Sequence, residues 1–273
     1  MRKKIPFVKL VGAGNDFVLV DVHKADLGVS INLSLLAQKI CDRINGAGAD
    51  GLLVVERSLH YDVRMRIFNP DGSEAQMCGN GVRCLAYYVA GPKAKNKKIS
   101  IQTKAGLIKA QVSGNQVRVE LTRPNSLREN IPLKIGSRIL HVNYINTGVP
   151  HTVIFVEGLD KIDVQNLGRF IRFHKRFAPE GTNVNFVEVI KEDTLKVRTY
   201  ERGVEQETLA CGTGSTAAAL ITGIKLEKEE ATINVVTRSA EILKIYFRQK
   251  NKQFEKVQLE GTVKITYKGE FYV

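Results

Sequence analysis

The sequence predicts an α+β protein of two pseudo-symmetric domains made by internal duplication, each a largely antiparallel or mixed sheet wrapped around a central helix. Three observations predict it. The unit Cys-Gly-x-Gly occurs twice, as CGNG at 78–81 and CGTG at 211–214, 133 residues apart (211 − 78) in a chain of 273. Each unit opens into a run apolar on nearly all sides, VRCLAYYVA in one and STAAALITGI in the other, and a helix apolar all round is a buried helix. The surrounding elements repeat in order, and a helix buried on every side needs a sheet that curls about it.

In the first half, IPFVKLV, DFVLVDV, GLLVVE, YDVRMRIF, KISIQT, GLIKAQV and QVRVEL alternate or run apolar with β-branched enrichment, and read as strands. SGNQ between the last two reads as a tight hairpin turn. SLLAQKICDRI carries apolar residues at helical spacing and is the first helix; the second follows CGNG. The second half repeats this order with a helix in NLGRFIRFHKRF, strands NFVEVI and TLKVRTY, a polar loop, CGTG with its helix, then strands TINVVT, EILKIYF and KVQLEG. QVRVEL gives way to TRPNS near Thr122, which divides the chain into 1–122, carrying Cys78, and 123–261, carrying Cys211.

A hydrophobic share of 43% and a charged share of 25%, with no low-complexity tract, leave little room for disorder. The net charge of +13 gathers in polar stretches such as GPKAKNKKIS and RQKNKQFEK, which read as hairpin loops. No aromatic ladder or helix-turn-helix pattern accompanies them, so the charge points to a lysine-rich surface or an acidic substrate rather than to nucleic acid. The N-terminal stretch MRKKIPFVKLVGAGNDFVLV starts basic, but Lys9, Asn15 and Asp16 interrupt the apolar run before a signal core is complete, and no segment reaches membrane-spanning length. Cysteines 41, 78, 84 and 211, without CxxC spacing, suggest reduced thiols of a cytoplasmic protein. No Cys or His pair has metal-ligand spacing, so no metal is expected. GAGND at 12–16 lacks the GxGxxG spacing and the following helix of a nucleotide loop.

A cysteine at a helix N-terminus sees the positive end of the macrodipole and unpaired backbone N–H groups, both of which favour thiolate over thiol. The glycines after it let a ligand approach that backbone, so each turn is also a carboxylate site. One such cysteine is ordinarily a small buried residue. Two of them, in equivalent positions of a repeat, point to chemistry. Facing each other across a bound carboxylate, one thiolate would remove the proton from the adjacent carbon while the other thiol returns one on the opposite face. That inverts the stereocentre, and the roles exchange for the opposite epimer. The two helix starts would stabilise the carbanion or enediolate-like charge. Cys84, about 240° around the helix from Cys78, points away from it, and with Cys41 is assigned to the core.

With these residues in hand the chain resembles the diaminopimelate epimerases, cofactor-independent amino-acid epimerases, over essentially its full length. The matching stretches are GNDF (14–17), ADGLL (49–53), FNPDGSEAQMCGNGVRC (68–84), TGVPH (147–151), TNVNF (182–186) and YERGVEQETLACGTG (200–214). The resemblance implies interconversion of L,L- and meso-diaminopimelate in lysine biosynthesis. It implies that Cys78 and Cys211 are the catalytic acid/bases, and that backbone N–H groups at Gly79, Asn80, Gly212 and Thr213 hold the reacting carboxylate. Asn15, Asn69, Asn183 and Arg202 match positions that bind the substrate's polar groups, Arg202 suiting the distal carboxylate. His151 and Glu201 match residues beside the cysteines that tune thiol ionisation and hold the ammonium group.

Two departures are visible: Val149 stands where some members have a substrate-binding asparagine, and Gly51 where they have a glutamine. The resemblance further implies that the C-terminal strand, 262–273, completes the first domain, and that the protein is a homodimer. A two-cysteine racemase of another amino acid, such as histidine, is the alternative on this scaffold. The phenazine-biosynthesis isomerase relatives lack the cysteine pair, and a noncatalytic scaffold would make both thiols incidental.

Overall fold

The computed structural model describes residues 4–24 and 31–273; Met1, Arg2 and Lys3 of the basic N-terminal stretch lie outside them. The chain forms two compact units, Met1–Val119 with Gly261–Val273, and Glu120–Glu260.

The first unit contains β1 (Lys4–Gly12), β2 (Asn15–Asp21), α1 (Leu33–Ile40), β3 (Gly51–Glu56), β4 (Val63–Phe68), β5 (Glu74–Ala75), α2 (Gly79–Ala90), β6 (Lys97–Thr103), β7 (Gly106–Ser113) and β8 (Gln116–Glu120). The chain's last strand, β18 (Lys264–Tyr272), pairs with β1. The ladder runs β18-β1-β2-β3-β4-β6-β7-β8, antiparallel except at β2–β3 and β4–β6. Helix α2 packs against β1 to β4, β6 and β7, and Asn80 to Tyr87 are all buried. Helix α1 covers the other face: Leu36, Ala37 and Ile40 join Val18, Val20, Leu52 and Val54. Strand alternation sends the intervening Leu53 toward α2, within reach of Gly81. Buried on both faces, β3 reads as the unbroken apolar run LLVV, each such side chain contributing about 1.5–3 kcal/mol.

The second unit contains β9 (Asn125–Ile135), β10 (Arg138–Asn146), β11 (Pro150–Phe155), α3 (Val164–Arg172), β12 (Asn183–Lys191), β13 (Thr194–Glu201), β14 (Gln206–Thr208), α4 (Gly212–Lys225), β15 (Glu230–Val236), β16 (Ile242–Lys250) and β17 (Gln253–Thr262). Its ladder, β9-β10-β11-β12-β13-β15-β16-β17, is parallel only at β11–β12 and β13–β15 and so repeats the first step for step. Helix α4 packs against β10 to β13, β15 and β16, and Gly214 to Ile224 are all buried. A β-carbon on Gly223 would lie 2.2 Å from Phe247 Cζ, so the glycine lets that ring press onto the helix. Helix α3 covers the outer face with Val164 and Ile171 against Val184, Phe186 and Tyr200. The α+β duplication read from the sequence is the fold of the chain.

Several boundaries differ from the sequence reading. Helix α1 stops at Ile40 instead of running on through Ile44, because the Asp42 carboxylate accepts the N–H groups of Ile44 and Asn45 and draws the chain into a turn. NLGRFIRFHKRF is not one helix: α3 ends at Arg172, and Lys175–Phe177 form a separate 3₁₀ turn capped by His174. GPKAKNKKIS joins α2 to β6 rather than closing a hairpin, whereas RQKNKQFEK is the β16–β17 hairpin, with Asn251 and Lys252 at positive φ. Strands β9, β10 and β11 are additional. The first two are half exposed, and their pairing shifts register around Tyr144, which blurs the apolar alternation. Among the described residues no helix is long and apolar enough to cross a membrane.

Candidate active site

Cys78 and Cys211 occupy the same position in the two units, as the residue that precedes the central helix. Both backbones are extended there (φ −142°, ψ 121° and φ −124°, ψ 110°), and both residues are half-buried. Cys211 Sγ accepts the Gly214 N–H at 3.4 Å and lies 3.5 Å from Thr213 Oγ1, contacts that favour negative charge on sulfur. Cys41 and Cys84 are core residues, 2% and 0% exposed, and burial pushes the Cys41 thiol up to about 12.

In the first unit the residues near Cys78 form a polar chain. Arg83 Nη2 donates to Asn80 Oδ1 at 2.6 Å, Asn80 Nδ2 to Asn15 Oδ1 at 2.6 Å, and Asn15 Nδ2 to Asp50 Oδ2 at 3.0 Å. With a guanidinium at one end and a carboxylate at the other, each amide has one favourable orientation. Asp50 is itself held by Arg43 at 2.6 Å and by the Asp16 backbone N–H at 3.1 Å. Arg43 and the buried Lys9 both reach Asp16, Lys9 at 2.7 Å. Burial alone would push the Asp16 carboxyl up, but these two cations reverse that and hold it at about 2. Asn69 sits instead in the exposed NPDG turn, donating to Ser73 Oγ at 3.0 Å. A β-carbon on Gly79 would meet nothing within 4 Å, so the helix start is open there.

In the second unit Thr147 Oγ1 donates to the Thr213 carbonyl at 3.0 Å, tying the TGVPH loop to the start of α4. His151, on β11, is wholly buried; desolvation, with the charge of Arg202 adding to it, pushes its pKa down to about 3. Its Nδ1 lies 3.2 Å from Asn185 Nδ2. Asn183 bridges two corners, donating to the Pro150 carbonyl and accepting the Arg202 backbone N–H, each at 2.8 Å. The Arg202 guanidinium donates to the Glu180 carbonyl at 3.3 Å. Glu201 is partly buried, and burial raises its carboxyl pKa despite the opposing Thr208 hydroxyl. Asp50, Arg83 and Asn185 escaped the sequence reading as site residues. Arg83 and Asn185 carry a signal: a polar side chain inside an apolar helix or strand needs a buried partner.

The model of the family named Diaminopimelate epimerase matches residues 7–127 and 143–266. The chain belongs to the diaminopimelate epimerase family. Relatives include the diaminopimelate epimerase of Aquifex aeolicus, 43% identical over 272 residues and 96% of each chain. That of Archaeoglobus fulgidus is 43% identical over 254 residues and 89% of each chain. Among solved structures, a phenazine biosynthesis protein of the PhzF family from Bacillus anthracis shares the fold at a TM-score of 0.78 and 19% identity, covering 99% of this chain and 100% of that one. A hydroxyproline epimerase from Agrobacterium vitis does so at 0.74 and 12% identity, covering 100% and 94%.

In this diaminopimelate epimerase family member, Gly51 opens the β2–β3 ladder opposite Phe17 as Asn183 opens the β11–β12 ladder opposite His151. A β-carbon at Gly51 would approach the Phe68 carbonyl to 3.0 Å, so a longer side chain there needs the strand to give.

Proposed function

We propose that the protein is an isomerase that interconverts L,L- and meso-diaminopimelate, serving lysine biosynthesis, without a cofactor. One of Cys78 and Cys211 acts as thiolate base and the other as thiol acid. The thiolate takes the α-proton, the electron pair of the broken C–H bond passes into the adjacent carboxylate, and the thiol delivers a proton to the opposite face of that carbon. The sulfur that began as thiolate ends as thiol, ready for the reverse reaction. The observation that carries this reading is the repetition itself: two units with the same ladder each place a cysteine immediately before the buried central helix.

Backbone N–H groups at Gly79, Asn80, Gly212 and Thr213 take the reacting carboxylate, Arg202 the distal one, and Asn15, Asn69 and Asn183 further polar groups. The division into 1–122, completed by 262–273, and 123–261 gives each domain one thiol. We place the enzyme in the cytoplasm as a homodimer, which light scattering of the purified protein checks.

The reading is tested by following α-hydrogen exchange in D2O without added cofactor across L,L-diaminopimelate, meso-diaminopimelate, L-histidine and L-proline. Exchange confined to diaminopimelate supports it. Exchange only with another amino acid makes the protein a racemase of that substrate, and exchange with none removes the reading.

A further inference from the structure

Asn185 lies two residues beyond Asn183 on β12 and is fully buried. Its amide has partners whose roles cannot be exchanged. The Thr152 carbonyl, 2.9 Å away, can only accept, so the amide nitrogen must face it. Thr199 Oγ1 donates to the amide oxygen at 3.0 Å, which agrees with that orientation. The second amide N–H then faces His151 Nδ1 at 3.2 Å. A ring nitrogen that meets an N–H donor must present its lone pair, which leaves the ring proton on Nε2.

We infer that Asn185 holds His151 as the neutral Nε2–H tautomer, making the histidine a fixed hydrogen-bond donor to substrate oxygen or to thiolate, and neither a base nor a partner for the substrate's ammonium group. His151 Nε2 is buried and has no hydrogen-bond partner among the described residues. A buried donor left unsatisfied is unfavourable by about 1–3 kcal/mol, a state explained when a ligand supplies the acceptor. The arrangement adjoins the start of α4: a β-carbon on Gly214 would fall 2.2 Å from Asn185 Oδ1 and 3.3 Å from Cys211 Cβ. Protonating Nδ1 would turn it into a donor facing a donor, and burial beside Arg202 also opposes a charged ring. The ammonium group then falls to a carboxylate, a role that the family resemblance assigns to Glu201.

The functional part of this inference rests on the epimerase reading, whereas the tautomer does not. The test is a long-range proton–nitrogen NMR spectrum of the full-length protein labelled with ¹⁵N-histidine, at pH 7 and without substrate. The His151 signals are assigned by their loss in His151→Gln. Nδ1 is expected to be unprotonated and Nε2 protonated; a proton on Nδ1 overturns the inference.

In Asn185→Asp a carboxylate facing Nδ1 should draw the proton there. The spectrum should change accordingly, and kcat should fall about 10- to 100-fold, the loss expected when a buried hydrogen-bond donor is misdirected, with less effect on KM. Undiminished kcat with a changed tautomer would overturn the positioning role. Should that variant fail to fold, the wild-type spectrum still decides. A protein that epimerises nothing yet shows Nε2–H would sink the epimerase reading alone.

Discussion

Gly214 and Asn185 are packed so closely that the asparagine amide could not stand where it does against any residue with a side chain at position 214. The last residue of CGTG is therefore a packing glycine. Its counterpart Gly81 is similar, a β-carbon there meeting Leu53 Cδ2 at 3.0 Å and Ile67 Cδ1 at 3.2 Å. Gly79 differs, facing open space. Gly214→Ala should be destabilised by about 1–3 kcal/mol and lose kcat. Gly79→Ala should stay within about 0.5 kcal/mol of the parent yet raise KM, since its methyl group obstructs the ligand's approach to the backbone. Urea titrations beside initial rates separate the two; a Gly214→Ala protein as stable as the parent would contradict the packing assignment.

The chain from Arg83 to Asp50 predicts a defect in binding. Asp50 accepts from Arg43 through one oxygen and from Asn15 through the other, and an asparagine would turn one of those acceptors into a donor facing a donor. Asp50→Asn should raise KM by roughly tenfold, equivalent to about 1.4 kcal/mol, with a smaller effect on kcat. An unchanged KM would mean that Asn15 and Asn80 need no such anchoring.

Acid stability carries the signature of His151. Below its ordinary pKa of 6.5 the unfolded chain binds a proton that the folded protein refuses until about pH 3. Unfolding free energy should thus fall as pH drops through that window, by up to about 1.4 kcal/mol per pH unit. Asp16, held at about 2 against an ordinary 3.8, contributes stability that is present above pH 3.8 and lost as pH falls through 2. Asp16 is silent from 6.5 to 4, so the His151 contribution there is read as the difference between parent and His151→Gln, whose denaturant midpoints should fall less steeply with acid.

Glu201 acts with the opposite sign. Its carboxyl pKa is raised by burial, so the folded protein is handicapped at neutral pH and recovers as the pH falls toward 4.5. Glu201→Gln should be no less stable than the parent at pH 7 while losing activity, the expected trade at a functional site. Equal activity of the two proteins would remove Glu201 from the site.

Thiol reactivity separates chemistry from packing. Iodoacetamide at neutral pH should modify Cys78 and Cys211 in the folded protein and spare Cys41 and Cys84, which are sealed in the core. Peptide mass spectrometry reads this directly, and uniform inertness of all four would favour a scaffold role.

Much of the fold was legible because the central helices announce themselves: VRCLAYYVA and STAAALITGI have no polar face, and only a surrounding sheet can bury such segments. The end of α1 was not, because it depends on Asp42 capturing two backbone N–H groups within a sequence that otherwise continues the helical spacing. Strands β9 and β10 were hidden by half-exposed faces and shifted register. The equivalent placement of Cys78 and Cys211, each just before a central helix, was readable from the repeat spacing. The roles of Asp50 and Asn185 were not, since each acts through a partner distant in sequence, Asn15 for the first and His151 for the second.

The central claim is that two thiols divide one proton transfer, and it is tested most directly by incubating L,L-diaminopimelate in D2O with the wild-type protein, Cys78→Ala and Cys211→Ala. The wild type should yield meso product carrying deuterium at the inverted α-carbon, and inversion should fall by about 10²- to 10⁴-fold in each variant. Inversion at a near wild-type rate by either single-cysteine protein would contradict the account.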